Sequence, residues 1–224
     1  MSAVPVIAVD GPAASGKGTI AAGVARALGF HHLDSGALYR LVALKALTGG
    51  IALDDEASLA AAATSMTFHL GEERIVLDGA DVTAELRSEA VSATASRVAA
   101  LAPVRLALLS RQRSFRRPPG LVADGRDMGT VVFPDAALKV YVTASAEERA
   151  SRRYKQLIEK GNSVTLDNLL RDIRERDARD TGRAAAPLRP AEGAIVLDTT
   201  SLSIEAGIAF VVERYRAVSR GLRA

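Results

Sequence analysis

Cysteine and tryptophan are absent from this 224-residue chain, and the other aromatics are scarce, with four Tyr and five Phe. Without cysteine there are no disulfides and no thiolate-bound metal. Few aromatics leave little surface on which bases could stack. The net charge of +3, from 29 basic and 26 acidic residues, is too even for a typical nucleic-acid binder. No apolar run approaches the roughly 20 residues needed to span a bilayer. The N-terminus carries neither a basic region nor a long apolar segment, which reads against a secretory signal. What is present is apolar enough, at 48%, to bury a real core. The length suits one α/β domain with insertions, or two small domains.

The most informative stretch is Gly11-Pro12-Ala13-Ala14-Ser15-Gly16-Lys17-Gly18-Thr19, directly after the apolar run Val4-Pro5-Val6-Ile7-Ala8-Val9. It reads as a strand, a glycine-bounded loop and a lysine at the mouth of a helix. Glycines let backbone wrap closely around phosphate, and a helix N-terminus adds partial positive charge. Lys17 can reach outer phosphates, and a hydroxyl just after it can meet Mg²⁺. The glycine spacing is that of a P-loop, but Gly18 stands where the general template has Ser or Thr, and Thr19 follows one place later. Ile20, Val24 and Leu28 repeat at helical spacing and Gly29 supplies a stop. The alternative is a glycine-rich turn with no ligand.

Further along, helices are predicted from Ser35 to about Leu47 and over roughly 55–63, the second capped by Asp54-Asp55. Met66–Leu70 and Arg74–Leu77 flank Gly71-Glu72-Glu73 as an antiparallel hairpin, with a helical stretch near 88–100. A long helix is predicted from Val104 to Arg117, with Leu106, Leu109 and Phe115 as its apolar positions, broken by Pro118-Pro119-Gly120. Strands follow at Leu121–Asp124, Leu138–Val142 and Ala194–Leu197. Ser145-Ala146-Glu147-Glu148 is a capping box opening a helix to Lys160-Gly161. Helices over about 166–179 and Ser203–Arg220 complete the chain. Strands alternating with helices argue a parallel sheet covered on both faces, with ligands at the carboxyl ends of the strands.

Two more constellations carry chemistry. Asp124 ends its strand beside the loop and can hold Mg²⁺ through water; the alternative is that it caps the following turn. Arg126 and Asp127 offer a planar donor fork and a two-oxygen acceptor, or else form a structural ion pair together or with neighbours. Residues 149–189 hold eleven basic and six acidic residues. This helical hairpin, turning near Gly161-Asn162-Ser163, can close over phosphates, although most of its arginines read as a solvated, salt-bridged surface. Arginine supplies 24 of the 29 basic residues, which favours bidentate contacts with phosphate but also fits genomic composition.

The loop Gly11–Thr19, the segment Leu33-Asp34-Ser35-Gly36-Ala37-Leu38-Tyr39-Arg40, the stretch Asp124–Pro134, and Arg176-Asp177-Ala178-Arg179-Asp180 with Arg183 and Ala186-Pro187-Leu188 together resemble the bacterial cytidylate kinases. The blocks come in that family's order and cover essentially the whole chain. Ala13-Ala14 departs from relatives that often carry a further glycine there.

The resemblance implies an α/β P-loop NTPase fold with a parallel sheet flanked by helices, a small inserted antiparallel β/α subdomain and a short helical lid. It divides the chain into a core over 1–34, 104–148 and 188–224, an acceptor-nucleotide region over 35–103 with its insertion at about 64–100, and a lid at about 149–187. It implies ATP as donor, Mg²⁺, and CMP or dCMP as acceptor, with no nucleic acid, no membrane, a monomeric state and a cytoplasmic location. By resemblance Lys17, Arg126, Arg153 and Arg176 are catalytic, and Gly11 to Thr19 bind the donor. The acceptor draws on Ser35, Tyr39, Arg40, Ser96, Arg105, Arg126, Asp127, Arg176, Asp180 and Arg183. Among these, Ser96, Arg105 and Asp127 read cytosine, Arg176 and Asp180 meet the ribose, and Arg40, Arg126 and Arg183 meet the phosphate. Thr19 and Asp124 attend the metal. A phosphate nucleophile is already anionic at pH 7, so no general base is needed, and His31, His32 and His69 read as structural. The nearest rivals are a UMP or AMP kinase on the same fold and a P-loop switch or nucleic-acid-associated NTPase.

Overall fold

In the computed structural model, which describes residues 4–71, 73–159 and 161–221, every residue of β1 (Val6–Asp10) is buried. An unbroken apolar strand of this kind is what a sheet covered on both faces requires. The same holds for β6 (Leu121–Gly125), its parallel neighbour. With β2 (His31–Asp34), β7 (Leu138–Thr143) and β8 (Ile195–Asp198), they form a five-stranded sheet in the order β2-β6-β1-β7-β8. The β1–β6, β1–β7 and β7–β8 pairings are all parallel. The segment His31–Asp34, which has too few apolar residues to announce a strand, is the sheet's edge.

One face of this sheet is packed by α1 (Lys17–Leu28) and α8 (Ile204–Gly221). Ile20 and Val24 from α1 and Val211 and Val212 from α8 close on Ile7, Val9, Val122, Val140 and Val142. Each such side chain contributes about 1.5–3 kcal/mol by leaving water. α1 runs from Gly16 to Gly29, both left-handed, so glycines punctuate both ends. α6 (Ala146–Glu159) and α7 (Leu166–Gly182) pair over a small core of Ala150, Leu157, Leu169 and Ile173. Lys160, at the predicted end of the first of these, lies outside the described residues. Of the capping box at Ser145, one half forms: Ser145 Oγ accepts from Glu148 N at 3.2 Å, while Ser145 N donates to Thr200 Oγ1 at 3.0 Å.

The chain divides into two compact units, Met1–Leu33 with Phe115–Ala224, and Asp34–Ser114. In the second, α2 (Ser35–Gly49) packs on α4 (Glu89–Val98), and α3 (Glu56–Ser65) on α5 (Ala102–Arg113). Asp55 caps α3 by accepting from Ser58 N at 3.0 Å, and Ser88 caps α4 through Val91 N at 3.3 Å. The predicted hairpin is a three-stranded antiparallel sheet of β3 (Phe68–Leu70), β4 (Ile75–Leu77) and β5 (Ala80–Asp81). Its extra strand follows from Asp78-Gly79, where φ values of +48° and +86° make the two-residue turn that hairpins favour. Glu72, in the predicted first turn, lies outside the described residues.

The helix predicted to Arg117 differs most. α5 ends at Arg113; beyond it Arg116 donates to Val4 O and to Asp135, each at 2.7 Å, and Arg117, before Pro118, is disfavoured from helical conformation. Its buried face is Val104, Leu108 and Gln112, spaced at i+4, while Leu106, expected to be packed, is 73% exposed. The stretch 104–114, expected with the core, groups with the second unit through α3.

Candidate active site

Strand order reverses on the two sides of β1, so its carboxyl end is where an α/β sheet opens a crevice. The loop that leaves it there is shaped by close approach. A Cβ on Gly11 would stand 2.0 Å from the Val142 carbonyl oxygen, so nothing larger than hydrogen fits. Gly16, at φ +83°, turns the chain into α1. Ala14, the second residue of the Ala13-Ala14 departure, sits at φ +59°, a left-handed position.

The loop is held from behind by its carbonyls. Thr199 Oγ1 donates to Ser15 O at 2.9 Å, and Arg152 Nη1 to the same oxygen at 3.4 Å. Arg149 Nη1 donates to Ala13 O at 3.4 Å. Arg149 is itself buried and pairs its two terminal guanidinium nitrogens with Asp177, at 3.0 and 2.6 Å. In a trans peptide the N–H points opposite to the C=O. Drawing back the Ala13 and Ser15 carbonyls therefore turns the Ala14 and Gly16 amides the other way. α1 adds its own N-terminal amides, with no side-chain cap and no acidic residue in its first turn. The whole is a concavity suited to anions.

Lys17 opens α1 and its Nζ lies 4.0 Å from Asp124 Oδ2 at the tip of β6. Asp124 is buried, and its Oδ1 accepts from His32 Nε2 at 2.9 Å. Gly18 faces this carboxylate: a Cβ there would be 3.7 Å from Asp124 Oδ2. Thr19, expected to supply the metal's hydroxyl, is one residue further round the helix, about 100° away, and exposed. The helical position that faces Asp124 closely is thus the glycine. No cluster of three or more His, Asp or Glu residues able to hold a metal occurs among the described residues. A buried carboxylate with space kept beside it fits Mg²⁺, which retains waters and takes one or two carboxylates plus substrate phosphates.

After Asp124 the chain makes a wide helical turn over Met128–Val132, closed by Phe133 N to Met128 O at 2.7 Å. Arg126, just before it, donates from Nε to Asp180 Oδ2 at 2.9 Å. Burial pushes the Asp180 carboxyl up, but Arg126, with Arg176 and Arg183, outweighs it and holds the group below the usual carboxylate range. Arg183 Nε donates to Ala186 O at 2.6 Å. Four predicted acceptor residues are thereby gathered in the first unit, and the ion pair forms between Arg126 and Asp180. Asp127 is buried beside them. Arg153, on α6, is half-buried.

The remaining predicted acceptor residues belong to the second unit. The Arg105 guanidinium lies 5.6 Å from the centre of the buried Tyr39 ring and donates to Ala99 O at 2.9 Å. Ser35 is buried at the first turn of α2, and Arg40 Nη1 is 3.7 Å from Asp34 Oδ2. Ser96 Oγ is buried with no hydrogen-bond partner among the described residues, which is uncommon for a hydroxyl and suits a ligand group.

Sequence reasoning missed four residues. Asp10 had the one available signal, a carboxylate ending an apolar strand directly before the glycine loop. Arg149 and Arg152 were inside the arginine-rich segment but not separable from it. Thr199, buried and joining Ser15 O to Thr143 O, left no trace in the sequence pattern. His32, read as structural, is a direct partner of Asp124.

A phosphate loop after the central strand, a lysine opening the next helix and a carboxylate at the neighbouring strand's tip define a P-loop nucleotide enzyme. The cytidylate kinase family model matches residues 7–217. A cytidylate kinase of Paraburkholderia phymatum is 59% identical over 214 residues, spanning 96% of this chain and 94% of the relative. One of Burkholderia cenocepacia is 57% identical over 216 residues, spanning 96% and 95%, and one of Paraburkholderia phytofirmans 58% over 214, spanning 96% and 94%. The chain belongs to the cytidylate kinase family, and it is a phosphotransferase. No single helix among its described residues is long and apolar enough to cross a membrane.

Proposed function

We propose that this chain transfers the γ-phosphoryl group of ATP to CMP, and to dCMP, giving ADP and CDP or dCDP. The observation that carries this reading is the gathering of Asp180, Arg176 and Arg183, from α7 and its end, around Arg126, which follows the strand beside the phosphate loop. A single bound triphosphate does not call for a second cationic cluster with a carboxylate at its centre. An acceptor with phosphate and hydroxyl groups does.

A phosphate oxygen of CMP attacks Pγ in line. The bond from Pγ to the β,γ-bridging oxygen breaks, and ADP leaves with that electron pair. The second pKa of a phosphate monoester is about 6, so the nucleophile needs no base. The obstacle is repulsion between two anions. Lys17, the loop amides, Arg126, Arg153 and Arg176 offset it and stabilise the charge on the transferring group. Mg²⁺, when bound, supplies further charge neutralisation; Asp124, kept in place by His32, is the residue that would hold it, through water. Arg40, Arg126 and Arg183 take the acceptor phosphate, Arg176 and Asp180 the ribose, and Ser35 and Tyr39 also serve the acceptor. Ser96, Arg105 and Asp127 read cytosine. On this reading residues 149–187 act as a lid, and the protein works as a cytoplasmic monomer.

A coupled assay of ADP release with CMP, dCMP, UMP and AMP tests the proposal. ADP release should depend on CMP or dCMP and be weak with UMP and AMP. Release that ignores the acceptor, or that prefers AMP, overturns it.

A further inference from the structure

Asp10 has no part in the mechanism above, yet it is built into the site. It ends β1, one residue before the phosphate loop, and is 3% exposed. Both its oxygens are engaged: Oδ1 accepts from Met128 N and Oδ2 from Gly129 N, each at 2.8 Å. These two amides open the wide turn that follows Arg126 and Asp127, where Asp127 O accepts from Val131 N and Val132 N. The first amides of a helical turn have no partner within it. Here a carboxylate from a strand more than a hundred residues earlier supplies it. Gly129 is closely surrounded: a Cβ there would crowd Ala191 Cβ at 3.2 Å and touch Asp10 Oδ2 at 3.4 Å.

The neighbourhood is charged. The Asp10 carboxyl is raised to about 6: burial pushes it up most and the negative charge of Asp127 adds to that, against the two amides and Arg126, which pull it down. Asp10 therefore senses both residues whose side chains the acceptor is read to meet. A buried carboxylate is costly to keep where an apolar residue would pack. Its two amide bonds give it a specific task.

We propose that Asp10 is a positioning residue for the acceptor: by fixing the amides of Met128 and Gly129 it sets where Arg126 and Asp127 present their side chains. The inference rests on the acceptor role read above for those two residues. It also makes the first residue before the donor loop a support of the acceptor side.

The test compares steady-state constants for Asp10→Asn, Gly129→Ala and Asp127→Ala, together with calorimetric titration of CMP into each protein without ATP. Asparagine keeps the size of the side chain but turns an amine toward one of the two amides. In Asp10→Asn the KM for CMP should rise about tenfold with the KM for ATP within about twofold, and in Gly129→Ala the same split should appear at about threefold. The calorimetric affinity for CMP should fall in parallel. A merely structural role would lower the amount of folded enzyme and leave both KM values alone. Unchanged CMP constants in folded protein, or equal losses for both substrates, overturn the proposal. If Asp10→Asn does not fold, Gly129→Ala decides by the same split. Loss of CMP binding in Asp127→Ala with none in the other two defeats positioning alone; no loss in Asp127→Ala defeats the acceptor reading and the inference with it.

Discussion

At the phosphate loop the polypeptide backbone is the instrument. Gly11 abuts a carbonyl, Gly16 and Ala14 lie in left-handed conformation, and the contacts from Arg149, Arg152 and Thr199 fall on main-chain oxygens. One stretch further, around Arg126 and Asp180, the instrument is side-chain charge, with guanidinium and carboxylate meeting across 54 residues of sequence. The first region is held chiefly through its main chain, so the fold of the loop should survive the loss of the Lys17 side chain. The second depends on particular charges, and removing one strands another. With the donor on the loop and the acceptor at the charge cluster, as proposed above, donor recognition is expected to be generic to nucleotides for the first reason and acceptor recognition selective for the second.

The largest effect that would test this contrast is at Lys17. Lys17→Ala should lower kcat by about 10³-fold while the protein stays folded, since Thr199, Arg152 and Arg149 hold the loop by the carbonyls of Ser15 and Ala13. Near-normal turnover would break the assignment, and a collapsed midpoint would break the claim that the loop is a backbone construction.

Next comes the buried carboxylate beneath both regions. Asp10 is raised by burial from 3.8 to about 6, so the folded chain binds its proton more tightly than the unfolded chain. Its contribution to stability is greatest below pH 3.8 and is lost as the pH climbs through 6, by about 3 kcal/mol in all. Urea titrations across that range should show wild type losing this stability relative to Asp10→Asn. A parallel pair of curves would mean that the two amides hold the pKa near its ordinary value.

A smaller loss is expected at Asp177→Ala. Arg149 stays buried with its bidentate partner gone, which costs about 2 kcal/mol after allowing for the partial exposure of Asp177. For a chain of this length that lowers Tm by roughly 4–8 °C in a thermal melt. An unchanged melting point would place Arg149 with the solvated arginines of the hairpin. Smallest of all, Ala14→Gly relieves a left-handed alanine but gives the unfolded chain more freedom. The two nearly cancel, so stability should change by less than about 1 kcal/mol, upward. A clear loss would show that Ala14 is not strained.

The same contrast explains what could be read from the residues alone. The loop was legible because backbone shape leaves glycines at fixed spacing, and the parallel sheet because β1, β6 and β7 are nearly continuous apolar runs. The caps at Asp55 and Ser145 were visible as short polar signals. Arg126 and Asp127 could be picked out, but their roles came from family resemblance, and nothing local pairs Arg126 with Asp180. Leu106 misled because its helix buries the i+4 row of Val104, Leu108 and Gln112, and a glutamine does not announce a core position. Thr199 and Asp10 act through main-chain oxygens and amides of distant segments, so their partners have no side-chain signature.

The contact between Gly11 and the Val142 carbonyl has a thermodynamic consequence. With no room at one end, and with carbonyls tied at Ala13 and Ser15, the loop has little freedom left to lose when a triphosphate enters. Much of the ordering entropy of binding has been spent during folding, before any ligand arrives. A triphosphate then meets a mould already set, and its binding energy is left for drawing two mutually repelling anions into line.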